Sequence, residues 1–160
     1  MTENPLTHLN ARGEARMVDV TAKDVTTRSA TARCRVTVST EVAGLLAQGA
    51  MPKGDALAVA RIAAIQATKR TPDLIPLCHP IAVHGVDVDV AVVDGPAVEI
   101  LVTVRTADRT GVEMEALTAA AVGGLTVIDM VKGKDRSAAI TEVVLLEKLG
   151  GRSGHWTRAE

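Results

Sequence analysis

From Val112 to Val131 the chain is apolar with few breaks. Met114, Ala116, Leu117, Ala119, Ala120, Val122, Leu125, Val127, Ile128 and Met130 leave no continuous polar stripe at helical spacing. A helix that is apolar nearly all round must be covered on most sides, so this segment sets the centre of the fold. Its most apolar part, Ala116 to Val131, is interrupted by Asp129 and reads as too short to cross a bilayer. A chain of 160 residues buries about 70% of its unfolded surface. That suffices for one core around this helix, without disulfides or a structural metal.

The flanking segments change period in a readable order. Alternation begins at Ala30: Ala32, Cys34, Val36 and Val38 share one face, and Thr31, Arg33, Arg35 and Thr37 the other. This is the pattern of a half-buried strand, with Cys34 a small core residue. Ser39 or Thr40 caps a short helix carrying Val42, Leu45 and Leu46, which stops at Gly49. After the loop Pro52-Lys53-Gly54-Asp55, the positions Leu57, Ala60, Ala64 and Ala67 mark a second helix that ends in Lys69-Arg70 before Pro72. Ile75 to Pro80 is irregular, because two prolines fix the backbone and withhold donors. Alternation returns at Val86, Val88 and Val90. Asp94-Gly95-Pro96 then turns the chain into a hairpin partner, Ala97 to Thr106. A last strand is expected from about Ala139 to Leu146.

The order β, two helical pieces, β, β, α, β predicts an α+β, ferredoxin-like domain, an antiparallel sheet with helices packed on one face. Residues 1–29 read as an arm lying over the domain at 30–149, and residues 150–160 as a flexible tail.

Composition narrows the function. The formal net charge is -1 and the pI near 6.4, which argues against an electrostatic nucleic-acid or membrane-surface partner. Trp156 is the sole aromatic residue, so no stacking platform for single-stranded nucleic acid exists. A mean hydropathy of +0.20 points to apolar surface covered in subunit interfaces. Cys34 and Cys78 are too few for a secreted disulfide framework, and the N-terminus lacks the basic and apolar regions of a signal peptide. A cytoplasmic location is expected.

Four stretches could carry chemistry. In Leu77-Cys78-His79 a proline-stiffened loop presents a thiol and an imidazole to a ligand, or it is a structural turn with a buried Cys. A zinc site from Cys78, His79 and His84 lacks the usual ligand spacing. Glu113 and Glu115 sit at a helix start, where acids complement the dipole; two positions apart, they share one pocket only if the helix begins between them. Asp129 and Lys132, at i and i+3 at the end of a buried element, form either an acid–base couple or a structural ion pair. Lys53 before Gly54, in a loop entering a helix, suits phosphate.

Taken in order, Met17-Val18-Asp19-Val20, Lys53-Gly54-Asp55, Leu74-Ile75-Pro76-Leu77-Cys78-His79-Pro80, Thr110-Gly111-Val112-Glu113-Met114-Glu115-Ala116-Leu117 and Asp129-Met130-Val131-Lys132 resemble the cyclic pyranopterin monophosphate synthase family, the molybdenum cofactor biosynthesis protein C family. The resemblance spans about Leu6 to Gly154. It implies a ferredoxin-like enzyme that converts 3′,8-cyclo-7,8-dihydroguanosine 5′-triphosphate to cyclic pyranopterin monophosphate and diphosphate, a lyase with no cofactor and no metal. It also implies a homohexamer, a trimer of dimers with sites at the dimer interface. By motif, Asp129 takes the catalytic position with Lys132 as acid–base partner. Leu77, Cys78, His79, Met114 and Glu115 match substrate-binding blocks, with Glu113 in the same block, and Lys53 matches a triphosphate contact. The sequence departs from the family's pattern at Gly133-Lys134, where apolar residues are more common before Asp135.

The implied site meets a geometric constraint. Met114-Glu115 and Asp129 are separated by fourteen to fifteen positions, roughly 22 Å along a straight helix. A neighbouring subunit is therefore expected to supply one end, through antiparallel helices about a two-fold axis. Gly123-Gly124, near the middle, either lets two such helices approach or packs against the chain's own sheet. Two other functions fit the residues less specifically: a non-catalytic nucleotide-sensing module, and a zinc hydrolase using Cys78, His79 and His84.

Overall fold

The structure, a computed structural model, describes residues 8–159; the first seven residues of the expected arm and Glu160 of the expected tail lie outside the described residues. The elements are β1 (Thr26–Thr37), α1 (Thr40–Ala47), α2 (Ala56–Thr68), α3 (Thr71–Leu74), β2 (Gly85–Val93), β3 (Ala97–Asp108), α4 (Glu113–Val131), β4 (Ala139–Leu149) and β5 (Trp156–Thr157). They build an α+β fold around one antiparallel sheet of order β2-β3-β1-β4-β5.

β1 is the central strand because its alternating side chains meet neighbours on both edges. Cys34 pairs in register with Ile100 of β3 and with Val143 of β4. Ala30, Ala32, Cys34 and Val36 are fully covered, as are Val98, Ile100, Val102 and Val104 of β3. α4 covers this face, and α2 lies beside α4 and over β2. The opposite face of β1 is polar: Arg33 makes a two-pronged contact with Glu142 of β4, Nε–Oε2 2.8 Å and Nη2–Oε1 3.0 Å. Beside it the Thr31 and Thr103 hydroxyls lie 2.9 Å apart.

The helix caps follow the sequence. Ser39 Oγ accepts from the Val42 N–H at 3.2 Å, and Asp55 Oδ1 from the Ala58 N–H at 2.9 Å, each satisfying a donor that the first turn leaves open. Pro72 does not simply stop the chain after α2. It sits in the first turn of the short helix α3, where a missing N–H costs nothing.

Three boundaries differ from expectation. β1 begins at Thr26, four residues before its apolar alternation. Thr26–Ser29 pair with Arg105–Asp108 but carry no large apolar side chain that would mark a buried face. β4 runs on to Leu149, and the tail is not free: Trp156 and Thr157 pair with Lys148 and Glu147 as β5. Finally, α4 has 19 residues and is long and apolar enough to cross a membrane, so length does not decide its setting. Its burial does: Ala116, Ala119, Ala120, Val127 and Val131 have no exposed surface.

The glycine pair of α4 faces the chain's own core. A Cβ on Gly123 would lie 3.2 Å from Ile100 Cγ2 and 3.5 Å from Ala64 Cβ, and one on Gly124 would lie 2.5 Å from Cys34 Sγ. These glycines bring α4 onto its own sheet and onto α2, so they are not the seam of a two-fold helix pair.

Gly124→Ala sets two effects against each other: a helix-propensity gain of about 1 kcal/mol and an overpacking cost of about 1–3 kcal/mol. We expect net destabilisation, with the gain recovered when Cys34→Ala removes the obstructing sulfur. Denaturant unfolding of the two single variants and the double variant checks this. A coupling of about 1 kcal/mol or more is expected between contacting sites, and additive effects would show that the two do not meet.

Candidate active site

The two ends of α4 carry different chemistry. Its N-terminal end opens into a cavity of about 680 Å³. Leu77, Cys78 and His79 enter from the loop after α3, Thr110 to Glu115 from the approach to α4, and Asp19 and Lys23 from the arm, with Arg152 from the tail. The 75–80 loop is held locally by the Cys78 N–H donating to Ile75 O at 3.1 Å. His79 then ties it to the arm: its Nε2 lies 2.6 Å from Val18 O. A carbonyl only accepts, so Nε2 carries the proton and Nδ1 is the ring nitrogen left for a ligand.

Glu113 and Glu115 both line this cavity although α4 begins at Glu113 rather than between them. At the open end of a helix the first and third positions flank the same mouth. Glu113 stays near the lip and pairs with Lys148 of β4 at 3.0 Å. A Cβ on Gly111 would meet that carboxylate at 1.8 Å, so glycine keeps its place clear. Glu115 points inward and is 3% exposed. Burial, reinforced by the negative charge of Glu113 and opposed by a backbone hydrogen bond, raises its pKa from 4.5 to about 7. Burial and the charge of Glu115 also push the Cys78 thiol up, which keeps it protonated and a poor nucleophile.

At the C-terminal end, Asp129 Oδ1 lies 2.6 Å from Lys132 Nζ, and its Oδ2 lies 3.7 Å from Lys53 Nζ. Lys53 also donates to the Asp129 carbonyl at 2.8 Å, satisfying one of the open carbonyls of the last turn. The side chains of Asp129 and Lys132 are each 59% exposed, so the pair is not the buried couple that its position after an apolar run predicted. Met130 and Val131 take the core side of the last turn and turn Asp129 and Lys132 outward. The hydrogen bond and charge of Lys132, then the charge of Lys53, hold the Asp129 carboxyl below its usual range. Within one chain it is an ionised base. The following loop is pinned by Asp135, whose carboxylate accepts from the Ser39 N–H at 2.6 Å and from the Ser137 N–H and hydroxyl at 2.9 and 2.6 Å. The Gly133-Lys134 departure is thus anchored to the start of α1.

The candidate residues therefore fall into two groups. Leu77, Cys78, His79, Glu113, Met114 and Glu115 meet at one end of α4; Lys53, Asp129 and Lys132 meet at the other. Lys23, Lys148 and Arg152 are additions of the structure: Lys23 is signalled only by a cation after the Asp19-Val20-Thr21 turn and Arg152 by one after a Gly-Gly pair, while Lys148 lies unmarked within β4. The zinc set does not converge. His84 Nδ1 lies 3.3 Å from Thr106 Oγ1, while Nε2 of His79 is taken by Val18, and among the described residues no three His, Cys, Asp or Glu side chains form a metal cage.

A model of the MoaC family matches residues 17–151. The chain is 61% identical over 157 residues to a cyclic pyranopterin monophosphate synthase of Streptomyces avermitilis, covering 98% of this chain and 92% of that one. It is 57% identical over 162 residues to one of Nocardioides, covering 99% of each. A third, cyclic pyranopterin monophosphate synthase 2 of Mycobacterium bovis, is 54% identical over 153 residues, covering 96% of this chain and 91% of that one.

The raised pKa of Glu115 makes a stability prediction. The folded state binds this proton more tightly than the unfolded state, so it holds the extra proton between pH 4.5 and about 7. Stability must fall as pH rises through that window. Glu115→Gln removes this slope and stabilises the protein at pH 8 by on the order of 3 kcal/mol. Unfolding free energies measured from pH 4 to 8 check it, and equal slopes in the two proteins would place Glu115 in water.

Proposed function

The chain belongs to the MoaC family, and we propose that it is an enzyme converting 3′,8-cyclo-7,8-dihydroguanosine 5′-triphosphate to cyclic pyranopterin monophosphate, releasing diphosphate as a lyase of the cytoplasm. The observation that carries this reading is the family match over residues 17–151. The pairing of a cavity holding an inward acid with an exposed cationic cluster around Asp129 suits the substrate's chemistry. That conversion opens a five-membered ring, closes a pyran ring and cyclises a phosphate. It needs proton donors and acceptors near neutrality and cations to offset a polyphosphate.

In this reading Asp129, ionised beside Lys132, is the base, and Lys132 returns the proton. Lys53 and Lys132 face the phosphates, while Leu77, Cys78, His79, Glu113, Met114 and Glu115 hold the ring system. His79 turns Nδ1 toward the ligand, its Nε2 being taken by Val18 O, and Glu115, titrating near neutrality, exchanges a proton with the bound rings. Because the two groups lie roughly 22 Å apart along α4, a complete site takes one end from each of two chains. This fits a homohexamer built as a trimer of dimers. Exposed Val59 and Ile62 of α2 and Leu125 of α4 supply apolar surface for such contacts.

Incubation with the cyclic dihydro-nucleotide, followed by diphosphate release and product mass, tests the assignment; no conversion by the wild-type protein would end it. Asp129→Asn is expected to keep the fold and lower turnover by about 10²-fold or more, the scale of losing a positioned acid–base group. Lys53→Ala is expected to act mainly on substrate affinity. Near-normal turnover in Asp129→Asn would remove Asp129 from the chemistry.

A further inference from the structure

Beside the cavity at the start of α4 lies a second hollow of about 640 Å³. Asp19, Lys23 and Arg152 line both, so these three form the ridge the hollows share. Lys23 arrives from the arm and Arg152 from the tail. Other cations nearby are committed. Arg28 donates to the carbonyls of Asp108 and Arg109, Arg109 to the carbonyl of Lys23, and Lys148 pairs with Glu113. Among the described residues neither the Lys23 ammonium nor the Arg152 guanidinium has a hydrogen-bond or ion-pair partner.

The chain places Arg152 there by construction. Gly150 and Gly151 have φ of +91° and +72°, a region that side-chain-bearing residues rarely adopt. A Cβ on Gly150 would lie 2.3 Å from the Thr27 carbonyl oxygen, and one on Gly151 would lie 2.4 Å from Arg28 Nη1. The two glycines thus press the tail against the first residues of β1. The Gly154 N–H then returns to Gly151 O at 3.2 Å, closing a turn that carries Arg152 and Ser153. Beyond it β5 pairs with β4, and Arg158 donates to Leu145 O at 2.7 Å. Arg152 is therefore at the tip of a turn fixed on both sides.

Charge is sorted across the cavity. Asp19 on the ridge is satisfied by the N–H and hydroxyl of Thr21, Glu113 is neutralised by Lys148, and Glu115 lies inward. Lys23 and Arg152 are thus cations at the mouth without an ion-pair partner among the described residues, beside an Asp19 carboxylate whose charge the neutral Thr21 donors leave in place. We propose that Arg152, with Lys23 beside it, joins Lys53 and Lys132 of a second chain in binding the anionic end of the substrate and so orients its ring system toward Glu115. A planar guanidinium presents paired donors that match two phosphate oxygens. This assignment rests on the nucleoside-triphosphate reading above and adds to it a cation-bearing turn from the tail.

The test uses the full-length protein with two probes: inorganic tripolyphosphate for binding by calorimetry, and the cyclic dihydro-nucleotide for steady-state kinetics. Arg152→Gln is expected to weaken tripolyphosphate binding about tenfold, the scale of a lost charge-assisted hydrogen bond. It should raise KM by a similar factor, with a smaller change in kcat. Arg152→Lys, which keeps charge without the fork, is expected to recover part of both. Unchanged affinity and KM in Arg152→Gln, with a wild-type enzyme that turns over, would overturn the proposal. A wild-type protein that fails to convert the nucleotide, yet loses tripolyphosphate binding with Arg152→Gln, would overturn the enzymatic reading and uphold the anion site.

Discussion

The close approach of α4 to the sheet is the contact on which the rest of the structure depends. Gly124 meets Cys34 of β1, and Gly123 meets Ile100 of β3 and Ala64 of α2. With no Phe or Tyr, the core is filled by Ala and Val around Ile100. It is thin, and each missing side chain on α4 is matched by a small residue opposite. A helix held this tightly is a rigid spacer, and its length fixes the distance between the groups at its ends.

Those ends are electrostatically unlike. At the start, burial raises the pKa of Glu115 to about 7, and burial together with the charge of Glu115 pushes the Cys78 thiol up. At the finish, two lysines hold Asp129 ionised in the open. The arm and the tail close over the first end, tied by His79 to Val18 and by the glycines against Arg28. Neither closes over the second, where Asp129 and Lys132 face outward. One chain thus carries a covered pocket lacking the Asp129 base and an exposed base lacking a pocket. In the composite site proposed above, both deficits are met by a second copy that brings its α4 terminus to the first copy's cavity.

What could be read from the residues was whatever local physics decides. Alternation in β1, β2 and β3, the Ser39 and Asp55 caps and the all-round apolarity of α4 each appear within a few residues and were found in the fold. Thr26–Ser29 were missed as strand because they lack large apolar side chains and so give no alternating signal. The exposure of Asp129 was misjudged because an apolar run does not say which way the final turn faces. Lys23 and Arg152 could not have been joined from sequence, since their meeting depends on the arm and tail both crossing the start of α4. The pair Glu113 and Glu115 was expected to diverge, yet both line one cavity because the helix opens there.

The central claim, that one site needs two chains, is tested by mixing two inactive proteins. Chains carrying Asp129→Asn and chains carrying Glu115→Ala are dissociated, combined and reassembled, with mixed oligomers verified by mass. If the ends of α4 from different copies build one site, some sites in the mixture receive both intact ends, and product formation returns above the level of either protein alone. Mixed oligomers that stay as inactive as their parents would show that each chain builds its site by itself.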